Sequence, residues 1–587
     1  MNSSAGNSNL VIGDDVRTWK VDVPTVFLGR WCTDAIQDPK LLPHTYQTFF
    51  GSPISNDEKC QRFELVSKTF DSVLPDLVDS LNDLHQTTFS QRYWQTATGL
   101  WLYYFLDVVY ARLTRLESVF STTPISSASI LQIDHPDTCP TNRQQFITQL
   151  QSQKWNNTII GSLLYELDRC SITEVQEDQS SPTLVIAAPQ LSASNRAVRA
   201  TLSAINSRGH ITLASTYLSR FSEFQLALLL KQLPTYWTDD LPCSAGYSIE
   251  KRRKFELASP TASRFETIVR RLIPLQLPRT VIEDYDALRT SLNNRNLPKQ
   301  PRLIFTSNKH ASSDSFALWS AEKMESGTRL VLGQHGGLYG EGLLPTRHEQ
   351  HELNICDRYF TWGWTDLKSP KIEPGPAFTN IGKKLRRRSK AKNTLLYVTD
   401  STLRYGKYSW DSTEERDVYL NDQVKVLNGT RMDIQAQTII RLHHDHARDD
   451  LPHNAFWKSN SPRIAVDDGT SPMNQLRQVA RLVICTSLGT TQLETLGQNI
   501  PTIIFLNPKI FPLRSDACEL YEVLKSVGIY HETPESTSEQ INRIWGDVDA
   551  WWNDQRTKDA RDQYCNSHAL RVRAPIRKLR SMLRDIV

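Results

Sequence analysis

Leu482-Val-Ile-Cys-Thr-Ser-Leu-Gly-Thr-Thr-Gln-Leu-Glu-Thr-Leu-Gly497 runs into Ile500-Pro501 and a second apolar stretch, Thr502-Ile-Ile-Phe505. Residues 482–485 are apolar throughout, as a strand buried on both faces requires. Thr486 to Gly489 is a small polar turn, and 490–497 reads as a helix. Strand, turn, helix and second buried strand make the repeating unit of a parallel, doubly wound sheet. Upstream, Leu395-Leu-Tyr-Val398, Thr438-Ile-Ile-Arg-Leu442 and Arg463-Ile-Ala-Val466 read as further strands. Helices are expected over 414–427 and from the cap Ser471-Pro472 to about Ala480. Residues 515–587 read as helical.

The alternation is looser in the N-terminal half. Thr25-Val-Phe-Leu28, 183–187, 302–306 and 329–332 read as strands, and 91–117, 221–233 and 263–274 as helices. Residues 121–129, rich in Ser, Thr and Pro, read as a loop. The division expected is a flexible tail over 1–20, an N-terminal α/β domain with helical insertions over 21–382, a basic linker over 383–392, a Rossmann-like domain over 393–560 and a basic helix over 561–587. The fold class is α/β, two Rossmann-type domains facing a cleft, with helical additions in the N-terminal half and at the C-terminus.

Composition narrows the function. Of 587 residues, 39% are hydrophobic and 22% charged, which excludes a disordered chain. Lys+Arg of 68 against Asp+Glu of 64 gives a net charge of +4, too small over this length for a dedicated nucleic-acid binder. No window approaches the ~18 apolar residues of a spanning helix. The polar start, with Asp14 and Asp15, lacks the apolar core of a signal peptide. Nine cysteines, scattered singly, fit reduced thiols and a cytoplasmic setting.

Three clusters carry candidate chemistry. In the first, Ser487, Gly489, Thr490 and Thr491 sit where a strand end meets a helix N-terminus, a place where free N–H groups and the helix dipole attract phosphate. Glu494, one turn inside that helix, is placed to accept hydrogen bonds from a ribose. Helix capping by Ser and Thr is the equally open alternative. In the second, Ile440-Arg-Leu-His-His-Asp-His446, residues Arg441 and His443 are placed for phosphate at the end of a strand. A surface turn rich in histidine is its bland counterpart. His443, Asp445 and His446 are potential metal ligands, but HExxH is absent and no cysteine supports them, so no metal is expected. In the third, Gln334-His335-Gly336-Gly337 suggests a backbone turning tightly beside a ligand. Gln334 and Gly336 are assigned to donor binding and His335 to catalysis. Glu341, Glu349 and Glu352 follow in one loop and helix. Glu341 and Glu352 are the candidate carboxylate catalysts, although each taken singly reads better as solvated.

Taken together, Phe27-Leu-Gly-Arg-Trp-Cys32, Tyr93-Trp94 to Trp101, Gln334-His-Gly-Gly337, Asp357-Arg-Tyr-Phe-Thr-Trp-Gly-Trp364 and Ser487-Leu-Gly-Thr-Thr491 resemble a transferase family of bacterial surface-polysaccharide (O-antigen and capsule) loci. The resemblance runs from about residue 24 to about 560. That family is similar to the GT-B transferases that move Kdo or nonulosonic acids from CMP donors. The Gln-His-Gly and Gly-Thr-Thr motifs also resemble those of polyol-phosphate transferases.

The resemblance implies a CMP-sugar bound by the C-terminal domain, as donor substrate with no other cofactor. It implies a glycan or lipid-linked glycan acceptor bound by the N-terminal domain. Family members often read Gly-Glu-Trp-Cys where this chain has Gly29-Arg30-Trp31-Cys32, which removes a carboxylate there and leaves Arg30 either to bind an acidic sugar or the acceptor, or to a structural role. They often read His-Pro where this chain has His443-His444. The basic segments 383–392 and 571–584 suit contact with the inner-membrane surface from the cytoplasmic side. Three rival readings remain: a CDP-donor polyol-phosphate transferase, a UDP-sugar epimerase and a non-catalytic membrane-peripheral binding protein.

Overall fold

A computed structural model describes residues 8–586 apart from 35, 37, 177–209, 235, 236, 238–240, 258–262, 386–392 and 445–452. The strand expected at 183–187, most of the basic linker, and Asp445 and His446 lie outside the described residues.

The described strands form three sheets, parallel throughout. The first holds β1 (Ser8–Val11), β2 (Thr25–Phe27), β3 (Tyr46–Thr48), β4 (Ile125–Leu131) and β5 (Ser171–Val175), in the order β3-β2-β1-β4-β5. The second holds β6 (Ile211–Ala214), β7 (Leu303–Thr306), β8 (Arg329–Gly333), β9 (Arg358–Thr361) and β10 (Ile372–Pro374), in sequential order. The third holds β11 (Thr394–Val398), β12 (Thr438–Arg441), β13 (Ala465–Asp467), β14 (Ala480–Cys485), β15 (Thr502–Phe505) and β16 (Tyr530–His531), in the order β13-β12-β11-β14-β15-β16. That last order is the doubly wound pattern, with its switch point between β11 and β14, where a crevice opens at the strand ends.

The second and third sheets are the two expected α/β domains facing a cleft. The first sheet is a correction to the expected division. The region 21–382 holds two sheets, and the tail expected over 1–20 contains β1, the central strand of one of them. The loop expected over 121–129 contains most of β4. Both strands are rich in polar residues yet buried, because their side chains answer one another. Asn9 Oδ1 accepts from Ser127 Oγ at 2.9 Å and from Ser129 Oγ at 3.4 Å.

The helix Gln91–Thr122 joins the three units. Ser90 caps it by accepting from the Tyr93 amide. Every residue from Tyr93 to Val109 is buried, so over this stretch the helix is a strut with no solvent face. Gly99 allows the helix Arg347–Ile355 to pack closely against it, since a Cβ there would lie 3.1 Å from the His351 ring. Asp107, with no solvent exposure, takes two hydrogen bonds from the equally buried Arg347, at 2.7 and 2.9 Å. It also accepts from the Ser409 amide at 3.3 Å.

No helix among the described residues is long and apolar enough to cross a membrane. The basic C-terminal helix Pro575–Arg584 keeps Leu579, Met582 and Leu583 buried, so its apolar side is already covered.

Asp107→Ala should destabilise the chain by about 3–5 kcal/mol, because Arg347 is then a buried charge without a counterion. Asp107→Leu combined with Arg347→Met should recover most of that loss. Urea unfolding of both variants against wild type checks both outcomes.

Candidate functional site

The switch point of the third sheet opens into a cleft of about 640 Å³ between the second and third sheets. That is large enough for a nucleotide-sized ligand. His335, Gly336, Gly337, Tyr339 and His348 line one wall. Asp400, Arg441, His443, His444 and the turn 486–491 line the other, with Lys407 between them.

The helix Thr490–Gly497 points its N-terminus into this cleft. Its cap is Gly489, and no side chain supplies a capping hydrogen bond. The capping alternative for Ser487, Thr490 and Thr491 is therefore not what the residues do. Instead Thr490 Oγ1 accepts from the Gly337 amide at 3.2 Å, across the domain boundary. A Cβ on Gly337 would come within 2.4 Å of the Gly489 backbone, and one on Gly336 within 3.2 Å of Thr490 Oγ1. The paired glycines thus let two backbones from different domains meet, a reason for them other than a turn beside a ligand. Glu494 lines the cleft but accepts from Arg477 at 2.7 Å. Arg441 also lines it and is paired with Asp467.

Several expected site residues do not face the cleft. Gln334 is buried, and its amide braces the neighbouring strand: Oε1 accepts from the Trp362 amide and from Trp364 Nε1, both at 2.9 Å. Glu341 has no solvent exposure and accepts from Tyr521 at 2.9 Å and from Tyr564, a packing role. Arg30 is held by Asp417 at 2.6 Å and Asp34 at 3.7 Å, and so ties the first domain to the helix Thr413–Gly429. The solvated reading of the three glutamates fails for all of them. Glu349 is buried beside Arg514, and burial pushes its carboxyl up to about 7.

Glu352 is fully buried directly behind His335. Its Oε2 accepts from the Tyr359 hydroxyl at 2.9 Å. Its Oε1 lies 3.4 Å from His335 Nδ1, 3.2 Å from His310 Nε2 and 4.0 Å from His348 Nδ1. Burial alone would raise its pKa, but the His335 and His310 imidazoles outweigh that and hold it below the usual carboxylate range. Burial lowers the pKa of His310, His348 and His351. His348 and Glu352 stand four residues apart on the helix Arg347–Ile355, so they share one face. That spacing was visible in the sequence, whereas the approach of His310 from the segment after β7 was not.

A family model matches nearly the whole chain: residues 8–583 fit the family described as LIC12162 family transferase. The chain belongs to that family of transferases. A search of curated proteins finds no match. Among solved structures, Acinetobacter baumannii MurG is similar at 10% identity over 66% of this chain and 96% of its own, with a TM-score of 0.29. WaaG, a glycosyltransferase involved in lipopolysaccharide biosynthesis, is similar at 11% identity over 63% and 99%, with a TM-score of 0.30. The wall teichoic acid polymerase TagF is similar at 9% identity over 51% and 84%, with a TM-score of 0.27. At these scores the likeness adds nothing to the strand order itself.

For this transferase the sequence left out one cleft carboxylate, Asp400, which directly follows the β11 strand end. Burial raises its pKa from 3.8 to about 6, and hydrogen bonds from the Ser401 amide and the Ser487 side chain only partly offset that. The folded state therefore holds this proton more tightly than the unfolded chain does. The stabilisation is fully present below about pH 4 and is lost as the pH rises through about 6. Asp400→Asn removes that loss and should be more stable than wild type at pH 7 by up to about 3 kcal/mol. The same variant should turn over about 100-fold more slowly or worse if Asp400 takes a proton in the reaction. Denaturation curves from pH 4 to 8, with rates on the same samples, check both.

Proposed function

We propose that this chain moves a sugar from a nucleotide-activated donor to a hydroxyl of a glycan or lipid-linked glycan. We further propose that the donor is a CMP-linked ulosonic or nonulosonic acid. The observation that carries the reading is the N-terminus of the helix Thr490–Gly497, uncapped by any side chain, at the sheet's switch point and facing the His335 wall. Amide groups and the helix dipole there favour the donor phosphate over water. Lys407 lines the cleft with Arg441 and Arg477, whose charges Asp467 and Glu494 offset, so the helix N-terminus carries the case for an anionic donor.

In this reading the departing phosphate is stabilised by the Gly489–Thr491 turn and by His443 beside it. Asp400 is the cleft carboxylate that takes the acceptor proton, and Glu352 acts from behind the wall through its contact with His335. Attachment to an anionic membrane surface belongs to the same proposal. Phe221, Phe224 and Leu228 are exposed on the helix Arg220–Leu229, which packs beside the basic helix Pro575–Arg584.

The test is a nucleotide panel of CMP, CDP, UMP and UDP, read by thermal shift on wild type and on Thr490→Ala/Thr491→Ala. At about 100 times its Kd a ligand contributes about 2.7 kcal/mol, a shift of a few degrees. CMP should give the largest shift, and the double variant should abolish it. A larger response to UMP or UDP would overturn the donor assignment. A dominant CDP response would put polyol-phosphate transfer in its place. No response to any of the four would remove the phosphate site.

A further inference from the structure

The wall behind His335 concentrates imidazoles in a way that nucleotide binding does not explain. His335, His348 and Glu352 bring one ligand atom each within 4.8 Å of one another. His310 approaches the same Glu352 oxygen from behind, at 3.2 Å. Three chain segments supply them: the end of β8, the helix Arg347–Ile355 and the short helix Lys309–Ser312 after β7.

The hydrogen-bond pattern is the telling feature. His310 Nε2, His348 Nδ1 and Glu352 Oε1 are all buried, and none makes a well-formed hydrogen bond. Buried polar atoms are normally paired, and three facing one another without pairing need a common partner. His335 has a second contact, to the Tyr339 hydroxyl at 3.2 Å. The other carboxylate oxygen, Oε2, is already fixed by Tyr359, which turns Oε1 toward the imidazoles. Outer hydrogen bonds of this kind orient the ligands of metal sites.

The spacing also fits. Bonds of about 2.0 Å to a tetrahedral cation put neighbouring donor atoms ~3.3 Å apart. The observed separations from Oε1 to His335 and His348 are 3.4 and 4.0 Å.

We propose that His335, His348 and Glu352 bind one divalent transition cation of the zinc class, reached from the cleft past His335 and His348, with a further position open to water or substrate and His310 positioning the carboxylate from behind. Imidazole nitrogens with one carboxylate are the donor set such cations select, whereas magnesium and calcium prefer oxygen. The cation stands in the wall opposite the helix N-terminus, where it would add electrophilic stabilisation to an anionic substrate. No local motif marks these residues, because they come from separate segments of the chain. The binding claim rests on this geometry and not on the identity of the donor.

The test uses the full-length chain, stripped with a chelator and dialysed against Co2+ or Zn2+ alone. Bound metal is measured by elemental analysis, and Co2+ by its visible d–d absorption. Wild type should retain one equivalent and show the absorption of four- or five-coordinate cobalt. His348→Ala and Glu352→Gln should each weaken retention by about tenfold or more. His443→Ala/His444→Ala should leave retention unchanged. Retention below about a tenth of an equivalent in wild type would overturn the proposal. So would retention that survives both ligand variants, or that is lost in the His443/His444 variant. Should a ligand variant not fold by circular dichroism, the wild-type cobalt spectrum decides alone: without imidazole-type absorption the proposal falls. None of these readouts involves a nucleotide, so a failure here is separate from a failure of the donor assignment.

Discussion

The ion pair between Asp107 and Arg347 holds the site in place. Both side chains are withdrawn completely from solvent. Removing two charges from water costs several kcal/mol each, which only close, multiple hydrogen bonds can offset. Here they do, and the Arg347 guanidinium also lies over the rings of Phe63, Trp410 and Tyr103, at 4.3, 4.9 and 5.3 Å. The pair fixes the first turn of the helix Arg347–Ile355 against the strut. His348 follows Arg347 directly, and Glu352 lies one further turn along. The positions of the cleft histidine and the buried carboxylate are thus set by a contact that takes no part in chemistry.

The second constraint lies across the cleft. Gly337 approaches the Gly489 backbone so closely that a side chain there would push the domains apart, while Gly336 lies tight against the Thr490 side chain. Two strand ends from different sheets meet here through one hydrogen bond, from the Gly337 amide to Thr490 Oγ1. The wall bearing His335 and the helix N-terminus that suits phosphate are brought within reach of one ligand. The cleft is then more than a gap between two sheets, because its opposing walls are held in register by backbone packing.

The third sheet was legible, apart from the two-residue edge strand β16 inside 515–587, which read as helical, because its other strands are apolar runs between turns, and 490–497 formed a helix over the expected residues. Of the first sheet, only Thr25–Phe27 was legible. Ser8-Asn-Leu-Val11 and Ile125-Ser-Ser-Ala-Ser-Ile-Leu131 hide buried strands behind polar residues whose partners lie more than a hundred residues away. The site divides in the same way. The turn 487–491 and His335 could be read from local pattern and do line the cleft. Gln334 and Glu341 looked like ligand-facing groups, yet Trp362, Trp364, Tyr521 and Tyr564 engage them through contacts that no local pattern encodes. Asp400 was overlooked because a single aspartate after a strand carries no motif, and its raised pKa comes from burial.

The central claim is that a donor phosphate is held between the Thr490–Gly497 helix N-terminus and the His335 wall. A crystal structure of the chain grown with CMP tests it directly. The account predicts phosphate density within hydrogen-bonding distance of the Gly489–Thr491 amides, on the side facing His335. Ordered nucleotide elsewhere, for example in the smaller pocket beside Trp31 and Arg115, would contradict it.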